Sequence, residues 1–159
     1  MLSTASILIF RRGAPNRSAL LLDTNVISEV TKIGANPAVL AYVNGLAPET
    51  IFTAAICEAE IHDGLIRLPA GRRRDLPIAQ LVAFFEDARR DLVLRFDRVC
   101  AALCGEVCSA RDAAGRPISA QDAMIAATAR AYGVSATVTR NTKDFELCGV
   151  ALVDPWMVG

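Results

Sequence analysis

A short apolar run at residues 19–22 ends abruptly on Asp23, and the chain's hydrophobic pattern is organised around it. A run without polar alternation is typical of a strand buried on both faces, as in a parallel sheet covered by helices. Ligands bind outside the carboxyl ends of such strands, which makes Asp23 a candidate for chemistry. Asp and Asn also favour helix N-caps, so Asp23 or Asn25 could instead cap a helix that begins near Val26. This stretch alone leaves both interpretations open.

Further apolar runs alternate with segments of helical periodicity. Strands are predicted at 50–53, 91–96, 136–139 and 150–153. Helices are predicted at 26–32, 37–44, from 54 onward, at 78–90, 97–113 and from 120 to Gly133, with a basic, turn-rich insert at 69–77. This alternation predicts an α/β fold, a three-layer α/β/α sandwich around a mostly parallel sheet of four to five strands. Residues 1–17 are predicted to be an N-terminal extension, and 18–159 a single domain.

Capping residues predict where several helices begin. Asn36 followed by Pro37 is typical of a helix start, and Thr53 is expected to cap the next helix. Ser119 followed three residues later by Asp122 resembles a capping box, which fixes the Asp122 carboxylate in a first helical turn.

Two carboxylates lie on the helix that follows residue 53. Cys57 and Ile61 fall on its apolar face, Glu58 at the edge of that face and Glu60 on the polar side. Periodicity does not decide which of the two carboxylates is functional.

Composition narrows the class of protein. A hydrophobic content of 53% over 159 residues excludes a disordered chain. No apolar run approaches the ~20 residues that span a bilayer, so a soluble protein without a membrane partner is predicted. The five cysteines are odd in number, and Cys100, Cys104 and Cys108 recur at helical spacing, which favours free thiols in a reducing cytoplasm over disulfides or zinc.

The net charge is zero, so no global field attracts the protein to nucleic acid. Arginines nevertheless cluster, notably at Arg72, Arg73 and Arg74, either as a solvated helix face or as a rim that contacts phosphate. Only nine residues are aromatic, so no stacking surface for bases is predicted.

Carboxylates and amides recur at the ends of predicted strands and in early helical turns. Asp23, Asn141 and Asp144 follow strands, whereas Glu60 and Asp122 lie in first turns or close to them. Gathered in one crevice, such carboxylates would repel each other by roughly 1 to 4 kcal/mol per close pair. Oxygen ligands without His or Cys partners suit Mg²⁺ or Mn²⁺ rather than zinc.

Five motifs, taken in order, resemble those of PIN-domain ribonucleases, specifically the VapC- or FitB-type toxins of type II toxin–antitoxin modules. The motifs are Leu22-Asp23-Thr24-Asn25-Val26-Ile27-Ser28, Glu60-Ile61-x-x-Gly64, Asp122-x-x-Ile125-Ala126, Val138-Thr139-Arg140-Asn141-x-x-Asp144-Phe145 and Asp154-Pro155-Trp156. The resemblance covers residues 20 to 156, and it selects Glu60 over Glu58 as the acidic position.

The resemblance implies a Mg²⁺- or Mn²⁺-dependent endoribonuclease that forms a homodimer and is blocked by a cognate antitoxin. A metal held by Asp23, Asp122 and Glu60 would activate water for attack on the RNA phosphodiester. The family's fourth acidic position falls on Asn141, so that charge is either missing or supplied by Asp144. Asn25 and Thr139, with Asn141, would orient ligands by hydrogen bonds. The candidates for holding the RNA backbone are Arg72, Arg73, Arg74, Arg140 and Lys143.

Two rival functions are weighed against this one. A phosphatase of the haloacid dehalogenase type needs a second Asp two residues after the first, where this chain has Asn25. A non-catalytic RNA-binding PIN-like domain is left open by Asn141, although the three retained carboxylates argue against it.

Overall fold

The predicted parallel sheet is present, with the strand that precedes Asp23 at its centre. The computed structural model describes residues 18–67 and 92–158, so the predicted extension at 1–17, the insert at 69–77 and the helix at 78–90 lie outside the described residues. The strands are β1 (Leu20–Leu22), β2 (Ile51–Ala54), β3 (Val93–Leu94), β4 (Ala136–Val138) and β5 (Leu152–Val153). They form one sheet in the order β3-β2-β1-β4-β5, and every pairing is parallel.

Strand β1 is covered on both faces. Its residue Leu20 is in register with Ile51 of β2 on one side and Ala136 of β4 on the other. Leu21 and Leu22 point to opposite faces of the sheet, and both are essentially fully buried. Helices therefore pack against both faces, which confirms the α/β/α sandwich inferred from the sequence.

Six α-helices lie within the described ranges. They are α1 (Thr24–Val30), α2 (Pro37–Asn44), α3 (Ala55–Ile66), α4 (Arg98–Ala113), α5 (Ala120–Tyr132) and α6 (Thr142–Phe145), and a 3₁₀ turn at Pro48–Thr50 precedes β2. Helix α1 begins two residues before the predicted start, because the Asp23 side chain caps it by accepting the amide of Thr24.

Most of the predicted caps are present. The Asn36 side chain accepts the amide of Ala38 at 2.9 Å, and the Ser119 hydroxyl accepts the amide of Asp122 at 3.1 Å. The cap predicted at Thr53 is wrong, since α3 begins at Ala55 without a side-chain cap. Thr53 is instead a buried residue of β2, and its hydroxyl donates to the carbonyl of Leu22 at 3.0 Å.

No disulfide joins the cysteines of the described residues, and Cys100 is packed with Leu103, Ala127 and Ala131 between α4 and α5. They fill apolar space, as the helical spacing of the α4 cysteines indicated. No helix of the described segments is long and apolar enough to cross a membrane.

Candidate active site

Asp23 is a buried carboxylate at the carboxyl end of the central strand. It is 4% exposed, and its backbone amide continues the β1–β4 pairing by donating to the carbonyl of Val138 at 3.0 Å. Its Oδ1 accepts the amide of Thr24 at 2.7 Å. Asp23 is therefore both the helix cap and a carboxylate at the edge where such sheets bind ligands, so the two interpretations of this residue are compatible.

The second oxygen of Asp23 is held by two neutral side chains. Oδ2 accepts the hydroxyl of Thr139 at 2.7 Å and the amide of Asn25 at 2.7 Å. Thr139 is fully buried, and its own oxygen accepts from Asn25 Nδ2 at 3.1 Å and from the backbone amide of Asn141 at 3.0 Å. The ends of β1 and β4 are thus joined by one hydrogen-bond network centred on the Asp23 carboxylate.

Glu60 is joined to the same segment by Thr24. The Thr24 hydroxyl donates a short hydrogen bond to Glu60 Oε2, while its amide donates to Asp23. Glu58, two residues earlier on α3, instead lies 3.8 Å from the ring of His62. The structure therefore separates the two carboxylates that periodicity left undecided, and it brings Glu60 to Asp23.

Three possible ligand atoms converge here. One oxygen each of Asp23 and Glu60 and the Sγ atom of Cys57 all lie within 4.8 Å of one another. Burial, and to a lesser extent the charge of Asp23, raises the pKa of the Cys57 thiol to about 11. The thiol is therefore protonated at neutral pH and leaves the two carboxylates as the ionic members of the cluster.

Asp122 lies in the first turn of α5, where its carboxylate accepts the hydroxyl of Ser119 at 2.7 Å. It is not one of the three ligand atoms within 4.8 Å, but its charge reaches Asp23 and raises the pKa of that carboxyl. A groove of about 350 Å³ lies between α3 and α5. Glu60 lines it on the α3 side, and Ala120 and Gln121 line it in the first turn of α5.

Negative charge in the cluster is not neutralised by the described side chains. Burial raises the pKa of Asp23 to about 6, and the charges of Asp122 and Glu60 add to the rise, although the hydrogen bonds from Thr139 and Thr24 oppose it. No ion pair within residues 18–67 and 92–158 joins a basic side chain to Asp23, Glu60 or Asp122. The site is therefore short of a positive charge.

The donor set fits a hard divalent cation. An ionised carboxylate offers about four acceptor positions, and the three donors on Asp23 leave room for one further partner on Oδ1. Glu60 receives one hydrogen bond on Oε2. Carboxylate oxygens that retain free lone pairs, in a site with excess negative charge, suit Mg²⁺ or Mn²⁺.

The fourth predicted position lies on the next strand end and outside the 4.8 Å cluster. Asn141 precedes α6 and Asp144 lies within it, and both are exposed. The buried side chain of Arg111 in α4, which is 4% exposed, stabilises this segment. It donates to the carbonyls of Lys143 at 3.3 Å and Glu146 at 2.7 Å. Asp144 is therefore not joined to the cluster by a described hydrogen bond.

Of the predicted RNA contacts, Arg140 and Lys143 are exposed on the segment that follows β4. Arg72, Arg73 and Arg74 lie outside the described residues.

Two members of the site, Thr24 and Cys57, were missed as site residues from the sequence. Thr24 stood within the first motif, and its neighbours Asp23 and Asn25 were named without it. Cys57 precedes Glu60 by one helical turn, so the spacing could have indicated that the two side chains are neighbours.

Comparison with known proteins defines the class to which this site belongs. The PIN domain family matches residues 20–148. The chain is 36% identical over 137 residues to VapC ribonuclease Y4jK of Sinorhizobium fredii, covering 86% of this chain and 97% of that protein. It is 33% identical over 137 residues to toxin FitB of Neisseria gonorrhoeae, covering 86% of this chain and 98% of that protein.

The fold agrees with a solved structure of FitAB bound to an IR36 DNA fragment. The TM-score is 0.81 at 31% sequence identity, covering 88% of this chain and 97% of that one. The chain therefore belongs to the PIN-domain family, among the toxins of the VapC/FitB type.

Proposed function

We propose that this toxin is a Mg²⁺- or Mn²⁺-dependent endoribonuclease, with Asp23, Glu60, Asp122 and Asp144 as its catalytic residues. The observation that carries the proposal is the convergence of the Asp23 and Glu60 carboxylates, without a basic partner in the described chain, at the carboxyl edge of the sheet. The relative named a VapC ribonuclease, 36% identical to this chain, supports RNA as the substrate.

Asp23, Glu60 and Asp122 would hold the cation through carboxylate oxygens, with Asp144 or Asn141 as the fourth contact. When bound, the cation supplies Lewis acidity toward water and phosphate and offsets negative charge in the transition state. Thr24 fixes Glu60 by its hydroxyl. Hydrogen-bonding partners of ligands tune a metal site nearly as strongly as the ligands do.

Thr139 and Asn25 orient Asp23 without neutralising it. Both are uncharged donors to Oδ2, so they fix the carboxylate and leave its charge available to a cation. Asn25 also accepts the backbone amide of Arg140 at 3.1 Å, which ties the segment carrying Arg140 and Lys143 to the same network. These two basic side chains are proposed to hold the RNA backbone against the repulsion of the carboxylates.

The first experiment is cleavage of a pool of structured RNAs by the purified protein in Mg²⁺ or Mn²⁺. We expect cleavage that is lost in EDTA and in Asp23→Ala. Cleavage that persists in EDTA, or in Asp23→Ala at the parent rate, would contradict the proposal.

Helix α3 offers a matched pair of variants. Glu60→Gln and Glu58→Gln remove the same charge two residues apart, and only Glu60 lies in the cluster. We expect Glu60→Gln to lower the cleavage rate by more than about 100-fold, and Glu58→Gln to stay within about twofold of the parent. Calorimetric titration with Mn²⁺ should show the same division, which provides a test that does not depend on finding the target RNA.

A cognate antitoxin is the proposed partner, and a homodimer is the proposed assembly, in the cytoplasm. Support comes from the similar FitAB complex and from two large apolar side chains that are exposed to solvent. Ile33 is 86% exposed and Ile66 is 72% exposed. If a small reading frame adjoins the gene, its co-expression should yield a complex by size exclusion that represses cleavage, whereas a toxin that remains free and active would contradict this assignment.

A further inference from the structure

Arg140 and Trp156 form a pair at the same sheet edge as the carboxylate cluster. Arg140 follows β4 and Trp156 follows β5, and these are neighbouring parallel strands. The guanidinium carbon lies 5.3 Å from the centroid of the indole ring, within the range of a cation–π contact. This Arg140–Trp156 pair places one of the nine aromatic residues of the chain at the carboxyl edge of the sheet, although no stacking surface for bases was predicted from the sequence.

The pair is fixed at both of its main-chain positions. The Arg140 amide donates to Asn25 Oδ1 at 3.1 Å, and the Asn25 side chain in turn donates to Asp23 at 2.7 Å. The Trp156 amide donates to Asp154 Oδ1 at 2.9 Å. One side chain therefore separates the backbone of Arg140 from the Asp23 carboxylate, and hydrogen bonds fix the main chain at both residues of the pair.

The guanidinium retains its hydrogen-bonding capacity. Arg140 is exposed, and among the described residues its side chain makes no ion pair with a carboxylate. The charge of Arg140 contributes to lowering the pKa of Glu29. The Glu29 carboxylate is, however, already bonded to Lys32 Nζ at 2.6 Å and to the amide of Asn36 at 2.7 Å. A guanidinium stacked on indole keeps its in-plane N–H donors available, and a planar group of this kind also presents a surface on which a base can stack.

We propose that the Arg140–Trp156 pair binds one nucleotide of the RNA strand beside the carboxylate cluster. The guanidinium donates to a phosphate of that nucleotide, and its base stacks on the planar surface of the pair. Two features of the pair favour an RNA strand as its ligand. The guanidinium offsets the repulsion between the phosphates and the carboxylates, and a phosphate contact combined with stacking is how proteins bind single strands. This inference rests on the proposed function and adds to it the site of a nucleotide contact.

Trp156 is the only tryptophan of the chain, so its fluorescence reports on this pair alone. We would titrate the non-cleaving Glu60→Gln protein with a pool of short single-stranded RNAs and follow both tryptophan emission and the anisotropy of labelled RNA. We expect emission to change saturably, with the same midpoint as the anisotropy.

Substitutions on the Glu60→Gln background separate stacking from charge. Arg140→Gln should weaken RNA binding about tenfold. It should also reduce the slope of log affinity against log salt concentration by about the amount that one phosphate contact contributes. Arg140→Lys should keep the salt dependence but lose affinity, because an ammonium does not provide the planar surface. Trp156→Phe should retain most of the affinity and Trp156→Leu should lose it, with circular dichroism confirming that both variants are folded.

Arg130→Gln is the matched control. Arg130 lies in the last turn of α5, at the opposite end from Asp122, and is paired with Glu106 at 2.9 Å. It should bind RNA within about twofold of the parent. If the unsubstituted protein cleaves RNA and Glu60→Gln binds it, while Arg140→Gln and Trp156→Leu on that background bind as tightly as Arg130→Gln, the nucleotide assignment is wrong and the proposed function stands. If the parent neither binds nor cleaves RNA, both fall.

Discussion

The metal-free protein should lose stability as pH rises through the range in which Asp23 ionises. Its pKa is raised from 3.8 to about 6, chiefly by burial, so the folded state holds a proton that the unfolded state has already released. At about 1.4 kcal/mol per pH unit, the rise corresponds to a cost of about 3 kcal/mol once Asp23 is ionised. The sign is the opposite of the usual one for a carboxylate, because the folded pKa is raised rather than lowered.

About half of this cost, roughly 1.4 kcal/mol, falls between pH 5 and 7.5. The window avoids Glu29, whose pKa is lowered by hydrogen bonds from Lys32 and Asn36, so that its stabilising contribution is lost only as pH falls below its ordinary 4.5. Bound Mg²⁺ should cancel the decline, since a ligand at 100 times its dissociation constant stabilises by about 2.7 kcal/mol.

Urea unfolding in EDTA across this pH range measures the effect, with the same series in Mg²⁺ for comparison. Asp23→Ala is the control for the slope, because it removes the titrating group whatever its effect on overall stability. Stability in EDTA that is constant or rises with pH would refute the reasoning, as would an equal decline in Asp23→Ala.

Two substitutions test the supporting side chains. Thr24→Val removes the hydroxyl that bonds Glu60 and should weaken Mn²⁺ binding by about 10- to 100-fold in calorimetry. Thr24→Ser keeps the hydroxyl and should bind Mn²⁺ as the parent does. Parent-like Mn²⁺ affinity in Thr24→Val would show that Thr24 does not position Glu60. Arg111→Met leaves two carbonyls of the α6 segment without donors and should lower the free energy of unfolding in urea by about 2 kcal/mol. Arg116→Met breaks an exposed ion pair and should lower it by less than about 1 kcal/mol. Equal losses would show that the burial of Arg111 adds nothing to stability.

The sequence predicted the sheet well at its centre and less well at its edge. The centre is encoded locally, since residues 19–22 are apolar without interruption and are bounded by a helix cap. At the edge, residues 91–96 have strand character, but only Val93 and Leu94 pair, with Thr53 and Ala54 of β2. The length of an edge strand depends on how far it pairs with its one neighbouring strand. The residues of the edge strand alone therefore do not determine where it begins and ends.

Thr53 shows why a local signal can fail. Threonine favours both helix caps and strands, and here its neighbour across the sheet decides between them, because the carbonyl of Leu22 accepts its hydroxyl. The bond from Thr24 to Glu60 was likewise beyond local patterns. It joins residues 36 apart and depends on α1 packing against α3.

The choice of donors around Asp23 is compatible with the proposed cation site, because these donors fix the carboxylate without neutralising it. An arginine in place of Thr139 or Asn25 would also orient the carboxylate, but it would neutralise the charge and occupy both oxygens. Hydroxyl and amide donors hold Oδ2 in place and leave the negative charge intact, which raises the energy of the metal-free state. The guanidinium of Arg140 is not part of this network: Arg140 joins it only through its backbone amide, and its side chain is stacked on Trp156. Under the proposed function, this positive charge would contact an RNA phosphate without competing with the metal for the Asp23 oxygens.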